Sequence, residues 1–114
     1  MQPSKPNQHG VLPEGNREIV ASRGRAFAAV RFALSEDGLY RYGLELNYSY
    51  GGLSYPICVD GEGFPTVEAA RTAALEQLLR SWPRSFPSDP EGVRAELADL
   101  RRQIVARVEQ PSLF

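Results

Sequence analysis

Few side chains in this sequence are equipped for chemistry. There is one histidine, His9, and one cysteine, Cys58, in 114 residues. A histidine works as a base or a ligand only when it is held within hydrogen-bonding reach of its partner. His9 sits among Pro3, Pro6, Gly10 and Pro13, a stretch that reads as a mobile tail over residues 1–16. Cys58 has no histidine to draw off its proton and falls opposite Glu45 in the strand pattern below, so it reads as a small packing residue. A lone cysteine allows no internal disulfide and leaves a zinc site short of thiolates, which fits a reducing cytoplasm. The expectation is a protein that is not an enzyme and carries neither metal nor cofactor.

The acids give no better active site. Asp37, Asp60 and Glu62 lie in turns, which the strand pattern sets at opposite ends of a sheet, too far apart for a carboxylate pair. Gly61-Glu62-Gly63-Phe64 precedes a helix, but the lysine and hydroxyl of a phosphate loop are missing. Of thirteen basic residues only Lys5 is a lysine. That bias would suit bidentate recognition of phosphate or carboxylate, but the codon usage of a GC-rich genome is the favoured reading. Arg17, Arg23, Arg25 and Arg31 are the candidate nucleic-acid contacts, with a solvated basic edge as the other reading. A formal net charge of −1 argues against a chain held to nucleic acid by bulk electrostatics.

These side chains must be positioned by one small core, since the length fits a single domain. Residues 40–50 alternate strictly, with Tyr40, Tyr42, Leu44, Leu46, Tyr48 and Tyr50 on one side, as in a half-buried strand. Gly51-Gly52 reads as the following hairpin turn. That turn pairs Leu46 with Ile57 and Leu44 with Val59, and Pro56 marks an edge or an irregularity. Residues 25–34 form a preceding strand, joined through Glu36-Asp37-Gly38, which sets Phe32 against Tyr42 and Val30 against Leu44. Residues 18–22 are a candidate fourth strand.

Thr66 caps a helix running toward Trp82, with Val67, Ala70, Ala74, Leu75, Leu78 and Leu79 on its apolar side. This stripe is expected to cover the face carrying Tyr40, Tyr42, Tyr48, Tyr50 and Tyr55, which if open would be a stacking platform for bases. Ser88-Asp89-Pro90-Glu91 opens a second helix, on which Val93, Leu97, Leu100, Ile104 and Val108 recur at helical spacing. That stripe packs beside the first helix or against a second copy of the chain. The fold class is thus α+β: an antiparallel three-stranded meander, with a fourth strand open, against two C-terminal helices over residues 17–109. No apolar run long enough for a signal or a membrane anchor precedes them.

Residues 110–114 follow directly as Gln110-Pro111-Ser112-Leu113-Phe114. Full burial of such a Leu-Phe pair is worth roughly 1.5–3 kcal/mol per side chain, so either the core or a partner should cover it. Gln110, Leu113 and Phe114 resemble, in type and spacing, the glutamine-x-x-leucine-phenylalanine peptide by which bacterial polymerases, repair proteins and mobile-element proteins dock on the DNA sliding clamp. The resemblance implies that Leu113 and Phe114 enter an apolar cleft on the clamp while Gln110 makes polar contacts beside it. Pro111 departs from the aliphatic residue common there, which should weaken the contact. Gly63-Phe64-Pro65-Thr66-Val67-Glu68-Ala69-Ala70 loosely resembles the strand-to-helix junction of antitoxin-like phage and plasmid modules. It transfers no functional residue.

Three expectations follow. The first is an interaction protein of phage or plasmid type whose partner is the sliding clamp. The second is an antitoxin-like or inhibitor protein that grips another protein by its sheet edge or second helix. The third is a nucleic-acid module using the four arginines.

Overall fold

Residues 26–35 carry small and apolar side chains on both sides, a composition suited to a strand covered on two faces rather than one. In the computed structural model, which describes residues 1–109, this segment is the spine of a mixed five-stranded sheet. The strands are β1 (Pro3–Ser4), β2 (Asn16–Arg23), β3 (Ala26–Ser35), β4 (Tyr40–Tyr48) and β5 (Gly51–Tyr55), followed by helices α1 (Val67–Arg80) and α2 (Glu91–Glu109). One edge of β3 pairs antiparallel with β4. Its other edge is shared by β2, antiparallel, and by the two residues of β1, parallel. The expected all-antiparallel meander is therefore corrected to a mixed sheet, and the fourth strand is present and longer than residues 18–22.

The β3–β4 register is the one the alternation required, with Leu34 opposite Tyr40, Phe32 opposite Tyr42 and Val30 opposite Leu44. Its loop closes on Gly38 at φ +83°, a conformation that a side chain would strain. The β4–β5 register differs from expectation. Leu46 faces Leu53 and Leu44 faces Tyr55, because Ser49-Tyr50 forms the turn and the two glycines enter the strand. Glu96 on α2 fixes this choice: its carboxylate accepts from the Ser49 backbone N–H at 2.7 Å and from Ser49 Oγ at 3.1 Å. Every pairing shifts by an even number of residues, so the apolar side chains keep their face. Gly52 is obligatory in this arrangement, since a Cβ there would lie 2.0 Å from the Leu46 carbonyl oxygen.

Both helices cover the face bearing Ala28, Val30, Phe32, Leu44 and Leu46, and Ala70, Ala74, Leu75, Leu78, Leu100 and Ile104 join them in one core. Thr66 caps α1, accepting from the Ala69 N–H at 3.1 Å. The stripe of α2 is consumed within its own chain, as Val93, Leu97, Leu100 and Ile104 are all buried. Tyr40, Tyr42 and Tyr48 pack against this core, whereas Tyr50 and Tyr55 stay exposed. A bulge in β2 inserts Val20, so that Val20 and Ala21 both turn inward and Ile19 is left outside at 47 % exposure. No helix among the described residues is long and apolar enough to cross a membrane.

The opposite face has a smaller core at one end. Leu12, Ala33 and Ile57 are buried together, with Val59 against them. Residues 10–12 and 57–59 run side by side, joined by Leu12 N–H to Ile57 O and Val59 N–H to Gly10 O, each 2.8 Å. Residues 1–16, whose prolines and glycines read as a mobile tail, are thus laid on the sheet, and Ile57 is drawn out of β5 to meet them. Leu12 is only 3 % exposed. Leu12→Ala should accordingly lower stability by about 2 kcal/mol in a denaturant titration. A change within about 0.5 kcal/mol, the scale of an ordinary surface substitution, would mean that this segment is not held.

Candidate interaction surface

The four arginines divide into two pairs. Arg17 and Arg31 are register partners on the face away from the helices, a juxtaposition of like charges that is unfavourable unless each finds its own acceptor. Arg17 Nη2 donates to Glu45 Oε1 at 2.9 Å, and its guanidinium lies 5.2 Å from the centre of the Phe27 ring. Arg31 reaches across Gly43 and donates from Nη2 to the Tyr55 carbonyl at 2.8 Å, with Ser54 Oγ at 3.4 Å. Arg23 and Arg25 flank the β2–β3 turn, where Arg23 lies 3.6 Å from Asp99 of α2 and Arg25 is exposed. Three of the four thus have acceptors within the chain, and the two pairs do not converge on one point.

The turns expected at opposite ends of the sheet instead meet at one residue, Arg41. It is 8 % exposed and donates from Nε to the Gly61 carbonyl at 3.0 Å and from Nη2 to Asp37 Oδ2 at 3.0 Å, with Ser35 Oγ also bonded. Asp37 accepts in addition from Ser35 Oγ at 2.6 Å and from the Leu39 N–H at 3.0 Å. Hydrogen bonds from Arg41 first, then Ser35 and Leu39, hold the Asp37 carboxyl far below the ordinary aspartate range. The carboxylate spends its lone pairs on closing the β3–β4 loop, so this is a clamp between two loops. Asp60 and Glu62 remain exposed beside it.

Cys58 pairs with Val11, not with Glu45, whose partner across the sheet is Ser54. His9 is exposed, and its backbone N–H donates to Asn7 Oδ1 at 2.8 Å. Among the described residues no group of three His, Cys, Asp or Glu side chains is gathered that could hold a metal ion. A shallow groove along Lys5, Pro6, Asn7, Val11, Leu12 and Pro13 has Lys5 as its one charged side chain.

What the sequence reading missed is the contrast between the two long edges of the sheet. Side chains of α2 seal the outer edge of β2. Gln103 accepts from the Ser22 N–H at 3.0 Å and donates to the Ser22 carbonyl at 2.9 Å, and Arg107 Nε donates to the carbonyl of the bulged Val20 at 2.7 Å. No strand, and no other element among the described residues, pairs with the outer edge of β5. Gln110, Leu113 and Phe114 lie outside the described residues, directly beyond the end of α2 at Glu109. Searches of family models, curated proteins and solved structures found no match to this chain.

The clearest electrostatic link between the layers joins β2 to α1. Arg71 grips Glu18 in a bidentate pair, Nε to Oε1 at 2.8 Å and Nη2 to Oε2 at 2.6 Å, while its guanidinium sits 5.7 Å from the Phe32 ring centre. The Arg71 hydrogen bonds pull the Glu18 carboxyl below its usual value of 4.5 against the opposing effect of burial. A carboxylate lowered on folding contributes stability that is complete above that usual value and is lost as the pH falls through the folded value. Stability should therefore fall from pH 4.5 downward. The fall should be shallower in Glu18→Gln, as read by urea titrations at stepped pH down to about 3. Equal slopes in the two proteins would mean that Glu18 gains nothing from Arg71 on folding.

Proposed function

We propose that this is a non-catalytic interaction protein of phage or plasmid type, which docks on the bacterial DNA sliding clamp through Gln110, Leu113 and Phe114. The observation that carries the reading is that the apolar stripe of α2 is used within the domain by residues that precede them. Leu100 and Ile104 are fully buried and Val108 packs at the margin, so the apolar stripe of α2 is complete before residue 110. A Leu-Phe pair that follows an apolar stripe already in use supports a role outside the domain, and its spacing after Gln110 is that of the clamp peptide. The domain would act by occupancy, tethering itself to replicating DNA or competing with other clamp clients. Docking peptides of this kind bind weakly alone, and Pro111 lowers the entropy lost on ordering while giving up an apolar contact.

The rival reading is an antitoxin-like or inhibitor protein that holds another protein by the second helix or a sheet edge. With Val93, Leu97, Leu100 and Ile104 all turned into the core, the helix has no apolar stripe left to offer, and only the β5 edge remains for that reading. A nucleic-acid module on Arg17, Arg23, Arg25 and Arg31 has the least support, because Glu45, Asp99 and main-chain carbonyls already occupy three of the four.

Purified bacterial clamp should retain the wild-type protein in a pull-down and should lose most of it with Leu113→Ala/Phe114→Ala. Equal retention by both removes the clamp reading. Deleting residues 110–114 should leave the unfolding free energy within about 0.5 kcal/mol of wild type, as for a surface change. A loss of several times that would return Leu113 and Phe114 to a structural role.

A further inference from the structure

An edge strand offers a row of unpaired N–H and C=O groups, and folded proteins blunt such edges with charge, proline, a bulge or a covering element. This chain does so on one side only. The β2 edge is bulged at Val20 and capped by Gln103 and Arg107. The β5 edge is less guarded: residues 49–56 carry no charged side chain of their own, Pro56 lies just past the strand, and the charge that reaches it is Arg31 of β3, at the Tyr55 carbonyl and Ser54 Oγ. Exposed aromatic rings flank it, Tyr50 at 62 % and Tyr55 at 44 %.

We propose that the β5 edge is the contact between two copies of this chain, paired antiparallel about a two-fold axis through Leu53, so that the two sheets run on as one. The strand is complementary to its own reverse. Antiparallel pairing about Leu53 sets Tyr55 opposite Gly51 of the second copy, Ser54 opposite Gly52, and Leu53 opposite itself. Gly51, Leu53 and Tyr55 share the helix-covered side of the sheet, so the Tyr55 ring and the gap beside Gly51 meet on the same side. That gap is open, as a Cβ added at Gly51 would meet nothing within 4 Å. Because the strand and its turn are uncharged, no like charges face each other within the shared ladder itself, and the nearest charge, Arg31, is already bonded to Tyr55 O of its own chain. A partner strand of other sequence would have to leave room for Tyr55 and fill the space at Gly51, which a second copy does by symmetry. Five residues a side make a small interface, so the dimer forms reversibly with concentration. It stands independently of clamp docking, and would present two copies of residues 110–114 where it forms.

The test uses the full chain. Wild type should show a monomer–dimer equilibrium in sedimentation. Ser54→Lys, an exposed position where the fold can be verified by circular dichroism, should weaken association by about tenfold or more. In a Cys58→Ser background, Leu53→Cys lies on the axis within disulfide reach and should give a covalent dimer under mild oxidation several times faster than Ser54→Cys, whose two copies sit too far apart across it. The proposal is overturned by a wild type that stays monomeric at every concentration, by Ser54→Lys dimerising as well as wild type, or by equal cross-linking at the two positions.

Discussion

The burial of β3 on both faces and both edges is the constraint from which the rest of the molecule follows. Ala26, Ala28, Ala29 and Ala33 are all but inaccessible along it, and of its fully buried side chains only Phe32 is large. Small side chains let the sheet be approached closely from either side, by Ala70 and Ala74 of α1 on one face and by Ile57 and Leu12 at one end of the other. The cost is that alanine removes little apolar surface from water. The hydrophobic stabilisation must therefore come from a short list, chiefly Phe32, Leu44, Leu78, Leu100 and Ile104, each worth roughly 1.5–3 kcal/mol when fully buried. Ordering a backbone costs about 1–2 kcal/mol for every residue fixed. A core this economical gives the second cluster and the polar clamps a larger share of the margin than they would have in a bigger domain.

What the chain disclosed in advance was whatever local spacing controls. The β3–β4 hairpin follows from strict alternation and a glycine at a left-handed position, and α1 follows from Thr66 and its apolar period; both cause and effect lie within a few residues of each other. The β4–β5 register has its cause 47 residues away, where Glu96 grips Ser49. Gly51-Gly52 advertised a turn because glycine supplies positive φ, yet Gly52 is required for a different reason, the close approach of the Leu46 carbonyl. Residues 1–16 misled in a similar way. Prolines and glycines mark a chain that makes no regular structure by itself, and pairing to β3 and to residues 57–59 is a tertiary event that leaves no periodicity behind. The resemblance of residues 110–114 to a clamp peptide rests on the sequence alone, since these residues are outside the structural description.

The polar residues tell the same story with a chemical reason. Arg41, Arg31, Arg71 and Arg107 each reach across elements to a carbonyl or carboxylate that would otherwise be under-bonded. The planar guanidinium can serve two or three acceptors at fixed angles, as Arg41 does for Ser35, Asp37 and Gly61 and Arg71 does for both oxygens of Glu18. A lysine at these positions could satisfy one acceptor well but not the fork. At these four positions arginine thus has an intramolecular role that needs no phosphate ligand. The sequence could not disclose it, because arginine placed to bind an anion and arginine placed to close a loop look alike until the acceptor is located.

This use of charge bears on where function can reside. Asp37 closes a loop, Glu18 ties β2 to α1, Glu45 holds Arg17 and Glu96 sets the β4–β5 turn, so these carboxylates are committed to architecture. The two surfaces proposed above as contacts are ones that this commitment of charge leaves over. One is the β5 edge, with which no further described strand pairs. The other is the proposed docking peptide, residues 110–114, which follows α2 in the sequence. Because Glu96, Gln103 and Arg107 of the same helix also fix the β4–β5 turn and seal the β2 edge, α2 decides which sheet edge stays open and where the peptide begins. A change that loosened α2 should therefore disturb the β4–β5 turn and the β2 edge together.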